Sequence, residues 1–198
     1  MALSALSDEL MRAEGMMMQD QNEEALELLL RLAEDAEEYV DCNCQTTDEL
    51  QYFAFPTLFD RLAYRRVEND PRKLEDVHEP FDRLYGDLAM AYVRTGDYEN
   101  AMNALKTAIR WNPMNCGFRL DLADLFKIAG DIREHIALTF GVFERASEAR
   151  HLTRAFLNFA AWFEAQGRLE QAAACLRAAR RFEVKDSTLE AALDQAAG

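Results

Sequence analysis

Proline and glycine are scarce in this sequence, with 4 and 8 residues among 198. These residues build tight turns, so their scarcity disfavours a turn-rich β fold. Alanine, leucine, glutamate and arginine dominate instead, and all four favour helix. Apolar residues make up 49% of the chain, which is enough to form a buried core rather than a disordered polymer. The composition therefore predicts a folded, helical protein.

Long apolar runs are also missing. Because no stretch of about 18 consecutive apolar residues exists, no transmembrane helix is expected. Charged residues interrupt any apolar run within the first 15 residues, which argues against a secretory signal peptide. These residues are Asp8, Glu9, Arg12 and Glu14. The expected location is the cytoplasm, where the four cysteines would stay reduced.

Catalytic motifs are absent as well. The sequence carries no phosphate-binding glycine loop, Ser-His-Asp order, zinc-protease helix or Cys-x-x-Cys motif. Cys42-x-Cys44 comes nearest to a metal motif, with His78 as a conceivable third ligand, yet no second Cys or His pair follows at zinc-finger spacing. His135 and His151 are isolated and are interpreted as structural residues. We predict no enzyme activity, no cofactor and no metal.

Acidic residues far outnumber basic ones, and the formal net charge is −14. Residues 1–80 hold 20 acidic and 7 basic residues, whereas residues 81–198 hold 16 and 15. The acidity is therefore a property of the N-terminal part. A polyanion would be repelled there, so nucleic acid is not a predicted partner.

The same short turn motif occurs three times in the second half of the chain. A glycine is followed by one polar and one large apolar residue at Gly96, Gly130 and Gly167, with spacings of 34 and 37 residues. Apolar residues recur at helical spacing on both sides of each glycine. Since glycine readily adopts the left-handed backbone that ends a helix, each segment predicts helix, tight turn, helix.

Residues 82–115 form the most regular copy. Small residues occupy positions where two helices would approach closely, and Pro113 would stop the second helix. The spaced positions are Tyr85, Leu88, Ala89, Tyr92, Gly96, Tyr98, Ala101, Leu105, Ala108 and Pro113. This pattern resembles that of the tetratricopeptide repeat family. The resemblance implies an all-α fold, in which antiparallel helix pairs stack into an α-α superhelix that ends in a C-terminal capping helix.

The next copy departs from the pattern in its second helix. His135 falls where the repeat has a small residue. A shift of one residue would instead direct Ile136, Phe140 and Phe143 inward, and we state that shifted register as an expectation.

These repeats divide the chain into three predicted parts. Residues 1–80 form an acidic helical region with degenerate repeat-like character, and residues 81–185 hold three repeats. The third copy spans about residues 153–185. Residues 186–198 begin with Asp-Ser-Thr, a helix-capping sequence, and predict the terminal helix.

The acidic region is predicted to be helical throughout, without a sheet. Helices are expected over residues 5–18 and 22–40, followed by a loop. Thr47 would then cap a helix, which Pro56 should kink or end early. This helix would carry a mostly buried aromatic and apolar series that comprises Tyr52, Phe53, Phe55, Leu58, Phe59, Leu62 and Tyr64.

The resemblance implies a concave groove lined by the first helix of each repeat. This groove is apolar at its centre, and an apolar surface of that kind is seldom left bare. A partner helix, a second copy or the protein's own N-terminal segment should cover it. The predicted groove residues are Arg83, Met90, Val93, Arg94, Leu120, Asp124, Lys127, Ile128, Arg154, Leu157, Asn158 and Ala161.

The preferred function is a scaffold or adaptor that holds a peptide or helix from a protein partner in this groove. A regulatory or recruiting subunit of a larger enzyme or secretion assembly is the alternative, and a self-associating module, such as a homodimer, is a third possibility. Repeats that clamp acidic chaperone tails hold lysine and asparagine where Gly86, Met90 and Asp121 stand here. A mixed apolar and acidic ligand is therefore expected rather than a purely acidic one.

Overall fold

The computed structural model describes residues 3–182, 184 and 186–196. Ten α-helices occur in this part of the chain, which confirms the predicted helical fold. None of these described helices combines the length and apolar content needed to cross a membrane. The chain divides into two compact units, Met1–Met114 and Asn115–Gly198. This division differs from the boundaries predicted from the sequence.

The first unit contains two helix pairs and a short inserted sheet. The elements are α1 (Leu3–Met18), α2 (Asn22–Asn43), β1 (Leu50–Phe53), α3 (Leu58–Glu68), β2 (Lys73–Asp76), α4 (Phe81–Thr95) and α5 (Tyr98–Trp111). The helices α1 and α2 pack together and both contact α4, which pairs in turn with α5.

The second unit contains two helix pairs and a terminal helix that packs on the first helix of the second pair. Asp186 caps the terminal helix by accepting hydrogen bonds from the amides of Thr188 and Leu189, as its sequence predicts. Residues 183 and 185 of the predicted third copy, and residues 197 and 198, lie outside the described residues. The elements are α6 (Cys116–Ile128), α7 (Ile132–Gly141), α8 (Ala149–Ala165), α9 (Leu169–Ala179) and α10 (Ser187–Gln195).

The three predicted glycine turns are confirmed. Gly96, Gly130 and Gly167 have positive φ angles of 82°, 83° and 71°. At the first turn the Asp97 amide donates to the Tyr92 carbonyl at 2.9 Å, which closes the end of α4 and redirects the chain into α5. The left-handed backbone at these positions is why the sequence places glycine there.

The helix predicted after Thr47 is wrong. The Thr47 hydroxyl accepts hydrogen bonds from the Glu49 and Leu50 amides, but the chain then enters a strand. β1 pairs in parallel with β2, and Leu50 lies opposite Lys73. The expectation of no sheet is therefore also wrong. The element order β1-α3-β2 is an insertion between the two helix pairs of the first unit.

Aromatic packing explains why this insertion folds. Phe53, Phe55 and Tyr64 are buried together with Leu74 and Met114. The Phe53 ring centroid lies 4.8 Å from that of Phe55 and 4.7 Å from that of Tyr64. Pro56 separates strand from helix in this arrangement, and Phe53 of β1 and Tyr64 of α3 meet in one cluster.

The shifted register proposed for the second helix of the next copy is wrong for Phe140, although Phe143 does pack against the buried cluster of the second unit. His135, Thr139 and Val142 are buried in the second unit, whereas Phe140 is 61% exposed. His135 Nδ1 lies 2.8 Å from the Ala123 carbonyl oxygen. This hydrogen bond places the ring proton on Nδ1 and satisfies a buried polar group, which is how a histidine occupies a small-residue position.

Ala101 tests the packing of the most regular repeat. Its side chain is fully buried, as the repeat pattern predicts. Replacing Ala101 with Leu adds volume to a closely packed interior and should lower the free energy of unfolding by about 1–3 kcal/mol. Urea unfolding followed by circular dichroism measures this loss. Asn103→Leu changes an exposed position of the same helix and should be near neutral. Equal stability of the two variants would contradict the assigned packing.

Candidate protein-interaction surfaces

Four predicted groove residues lie on α4, and α1 runs alongside them. The Arg83 guanidinium donates to Glu14 Oε1 at 2.7 and 3.0 Å. Arg94 donates to the Met17 carbonyl at 2.8 Å. The helices α1 and α4 are each the first helix of a helix pair, and these contacts join them side by side. The α4 part of the predicted groove therefore extends onto α1.

Three exposed methionines lie on the two helices that meet at this seam. Met11 and Met18 of α1 are 54% and 76% exposed, and Met90 of α4 is 47% exposed. Met90 belongs to the α4 stripe that also carries Arg83 and Arg94, the residues bonded to α1. We call Met11, Met18 and Met90 the methionine face. Val93, also predicted for the groove, is half-buried.

The backbone leaves room above this surface. Gly15 lies between Met11 and Met18 on α1, and a Cβ atom built there meets nothing within 4 Å. Methionine side chains are unbranched and polarizable, so they adapt to differently shaped apolar partners. Met11 and Met18 were not among the predicted groove residues, although their spacing of seven residues places them on one helical face.

A buried carboxyl group lies beneath the same seam. Asp87 Oδ2 is 3.8 Å from Arg83 Nε, and within the described residues no hydrogen-bond donor reaches it. Burial raises the pKa of Asp87 to about 7, and the nearby Glu14 carboxylate adds to the rise while Arg83 opposes it. Asp87 therefore changes charge near neutral pH, next to the contact between α1 and α4.

In the second unit, the predicted groove charges neutralise one another. Arg154 donates from Nη2 to Asp124 Oδ2 at 2.7 Å and is also 2.7 Å from Asp121 Oδ1. The structure thus brings together two predicted groove residues and adds Asp121. An arginine held by two carboxylates offers little charge for an acidic ligand.

The apolar residues predicted for the groove in the second unit lie at two different sites, one at the end of α6 and one between α8 and α9. Ile128, at the end of α6, is 65% exposed, and the adjacent Lys127 is exposed as well. Leu157 and Ala161 of α8 line an open cavity of about 420 Å³ together with residues of α9.

Two predicted groove residues belong to helix packing instead. Leu120 is fully buried and packs with Cys116, Val142 and Ala155, so its assignment to an exposed groove is corrected. Asn158 donates to Thr139 Oγ1 of α7 at 3.3 Å, which directs it toward the packed side of α8. The sequence contained a signal for Leu120, because Cys116, Leu120 and Ala123 form one apolar helical stripe.

The sequence offered Cys42, Cys44 and His78 as conceivable metal ligands. In the described part of the chain, no group of three His, Cys, Asp or Glu side chains is placed to hold a metal ion. Cys42 is exposed, while Cys44 is buried. Burial raises the pKa of Cys44, and it raises the pKa of Cys116 to about 11, so both thiols are protonated and weakly nucleophilic at neutral pH.

A match to a family sequence model agrees with the assignment of the most regular repeat. Residues 82–115 match the sequence model of the tetratricopeptide repeat. No curated protein matches the chain at a significant level. Among solved structures, TTC0263, a thermophilic TPR protein in Thermus thermophilus, is 18% identical with a TM-score of 0.47, over 96% of this chain and 98% of that chain. The crystal structure of MamA is 16% identical with a TM-score of 0.45, over 88% of this chain and 86% of that chain.

Proposed function

We propose that this chain is a non-catalytic scaffold, and that the methionine face of its first unit holds an amphipathic helix or peptide from another protein. The observation that carries the proposal is the exposure of Met11, Met18 and Met90 on two adjacent first helices. Large apolar side chains grouped at a surface generally mark a binding site. The tetratricopeptide repeat at residues 82–115 supports this assignment, since such repeats are interaction modules.

The charges beside the methionine face define the expected ligand. Arg83 and Arg94 are both partly exposed, and each already contacts an acidic residue of α1 or of the turn after it, Glu14 and Asp20 respectively. They can therefore orient a ligand carboxylate but do not form an open anion site. The ligand should be an apolar helix with a few acidic residues at its margins. The four free cysteines suit a reducing compartment, and we place this activity in the cytoplasm.

Peptide selection tests this function and requires no identified partner. A displayed library of random peptides, each of about 16 residues and so long enough to form a helix, is selected against the full chain. We expect the enriched peptides to carry apolar residues at three- and four-residue spacing. Replacing Met18 and Met90 together with Asp should weaken their binding about tenfold or more, because apolar contact is lost at the centre of the surface.

A control variant tests whether replacing any exposed apolar side chain with Asp would weaken peptide binding. Tyr98→Asp changes a side chain of α5 that is 44% exposed, similar to Met90, and should leave peptide binding unchanged. Peptides that bind the methionine variant as tightly as the unaltered chain would remove the methionine face from the proposal. A library that yields no enriched peptide would count against the scaffold function itself.

A further inference from the structure

The inserted helix α3 has one side committed to packing and one side exposed. Tyr64 is buried against Phe53 and Phe55, and Ala63 and Val67 pack against the same cluster. This buried side fixes the helix against β1 and β2. The insertion is absent from the tetratricopeptide pattern, so the helix-pair architecture does not account for what the exposed side does.

Three large apolar side chains are exposed on the opposite side of α3. Leu58, Phe59 and Leu62 are 69%, 62% and 59% exposed. They fall within little more than one helical turn, so they form one patch rather than scattered surface residues. Contiguous apolar groups of this size cost free energy when they remain in water, and they commonly mark an interface.

This patch is presented by a well-anchored helix. Thr57 caps the start of α3 by accepting a hydrogen bond from the Asp60 amide at 3.2 Å. Beyond its end, Asp70 accepts hydrogen bonds from the Tyr64 hydroxyl at 2.9 Å and from the Arg72 side chain at 2.6 Å. These contacts hold the backbone of α3 in place before any partner arrives, so the helix itself need not be ordered on binding.

Basic residues follow the apolar patch along the same helix. Residues 1–80 contain seven basic residues, and five of these lie between positions 61 and 73. Three of the five are engaged locally. Arg61 donates to the Leu74 carbonyl, Arg72 binds Asp70 and Lys73 pairs with Glu75.

The other two bases extend the exposed side of α3. Arg65 and Arg66 are exposed and lie three and four residues after Leu62, so they share its side of the helix. The exposed side is thus apolar in its first half and cationic in its second half. We call Leu58, Phe59, Leu62, Arg65 and Arg66 the α3 face.

We propose that the α3 face docks an acidic amphipathic helix from a partner protein. Leucine-like side chains of the partner would cover Leu58, Phe59 and Leu62, and its carboxylates would lie against Arg65 and Arg66. An anionic membrane fits the same face less well, because its extended negative surface would face the whole acidic region of residues 1–80, whose net charge is −13. A bound helix is narrower and lies only over the α3 face, where the basic residues are Arg65 and Arg66. This docking surface is separate from the methionine face and does not depend on the function proposed for it.

A pair of defined peptides tests the docking. Each peptide has about 18 residues, with leucines at helical spacing, and its polar positions are all glutamate in one and all lysine in the other. Binding of the fluorescently labelled peptides to the full chain is measured by anisotropy. We expect the leucine–glutamate peptide to bind and to lose about tenfold or more in affinity when Phe59 and Leu62 are both replaced by Ser. Replacing Arg65 and Arg66 with Glu should cause a similar loss and should not weaken binding of the leucine–lysine peptide.

Matched substitutions on α7 serve as the control. Phe140 is 61% exposed and Arg133 is exposed, so the Phe140→Ser, Arg133→Glu variant removes the same kinds of side chain elsewhere. It should bind the leucine–glutamate peptide as the unaltered chain does. Circular-dichroism melts of all variants establish that each remains folded, as expected for exposed positions.

Several outcomes would overturn this docking site. The proposal fails if the leucine–glutamate peptide does not bind, or if it binds the α3 variants unchanged. Loss of binding only in the Met18→Asp, Met90→Asp variant would place the peptide on the methionine face and leave the scaffold function intact. Binding to phosphatidylserine vesicles that the α3 substitutions abolish would identify a membrane as the occupant. A dimer in sedimentation velocity that the same substitutions dissociate would identify a second copy.

Discussion

Replacing Leu120 with Asp is expected to unfold the second unit. Leu120 is fully buried and packs with Cys116, Val142 and Ala155, where a carboxylate would have neither water nor a partner. Leaving a charge or an unsatisfied polar group in such a core costs more than about 4 kcal/mol, a large fraction of the stability of a typical domain. Thermal unfolding monitored by circular dichroism should show the loss as a reduced helical signal at room temperature.

A substitution on the same helix provides the control. Ile128 lies at the end of α6 and is 65% exposed, so Ile128→Asp should change the free energy of unfolding by no more than about 0.5 kcal/mol. If Leu120→Asp instead remained as stable as Ile128→Asp, Leu120 would have to face solvent. Its interpretation as a groove residue would then be restored.

Replacing Asp87 with Asn should change how stability depends on pH. The pKa of Asp87 is raised from 3.8 to about 7 in the folded chain, mainly by burial. A carboxyl group with a raised folded pKa contributes its stability below its unfolded pKa, and loses that contribution as pH rises through the folded value. The free energy of unfolding of Asp87→Asn relative to the unaltered chain should therefore rise by on the order of 2–4 kcal/mol between about pH 4 and about pH 8.

Comparing the free energy of unfolding of Asp87→Asn with that of the unaltered chain at each pH isolates the contribution of Asp87. Asp70, whose pKa Arg72 holds well below its usual range, adds stability that is lost in acid, but it does so equally in both chains. Asp8→Asn removes a carboxyl group at an exposed position of α1 and serves as the comparison variant. A pH profile of Asp87→Asn parallel to that of the unaltered chain would mean that Asp87 titrates normally.

The repeat region was predictable because its signals are local and periodic. Gly96, Gly130 and Gly167 mark the turns, and the burial of Ala101 follows from its place in the most regular copy. The register of α7 was less predictable. His135 occupies a small-residue position only because the Ala123 carbonyl accepts its ring proton, and that contact is invisible in a hydrophobic pattern.

The inserted sheet was not predictable in the same way. Leu50–Phe53 contains strand-forming aromatic residues, but its partner Lys73–Asp76 has three charged residues and no strand pattern. The pairing depends on contacts between segments that lie about 20 residues apart, and sequence periodicity does not report such contacts. The error had a consequence for the surface. Leu58, Phe59 and Leu62 were interpreted as mostly buried, whereas α3 exposes them.

The candidate site was predicted in part. The α4 residues Arg83, Met90 and Arg94 were assigned to a groove and do lie along the seam with α1. The α1 half was missed, because residues before position 80 matched the repeat pattern weakly. Leu120 and Asn158 were assigned to the groove side of their helices, whereas Leu120 is buried and Asn158 bonds to Thr139 of the neighbouring helix.

Hydrogen–deuterium exchange of the full chain, with and without its tightest selected peptide, tests the scaffold function most directly. A bound helix shields the backbone beneath it and slows local opening. We predict slower exchange in α1 and α4, around Met11, Met18 and Met90, and little change in α5. Protection confined to other elements, or no protection when the peptide is saturating, would contradict the assignment of the methionine face as the working surface.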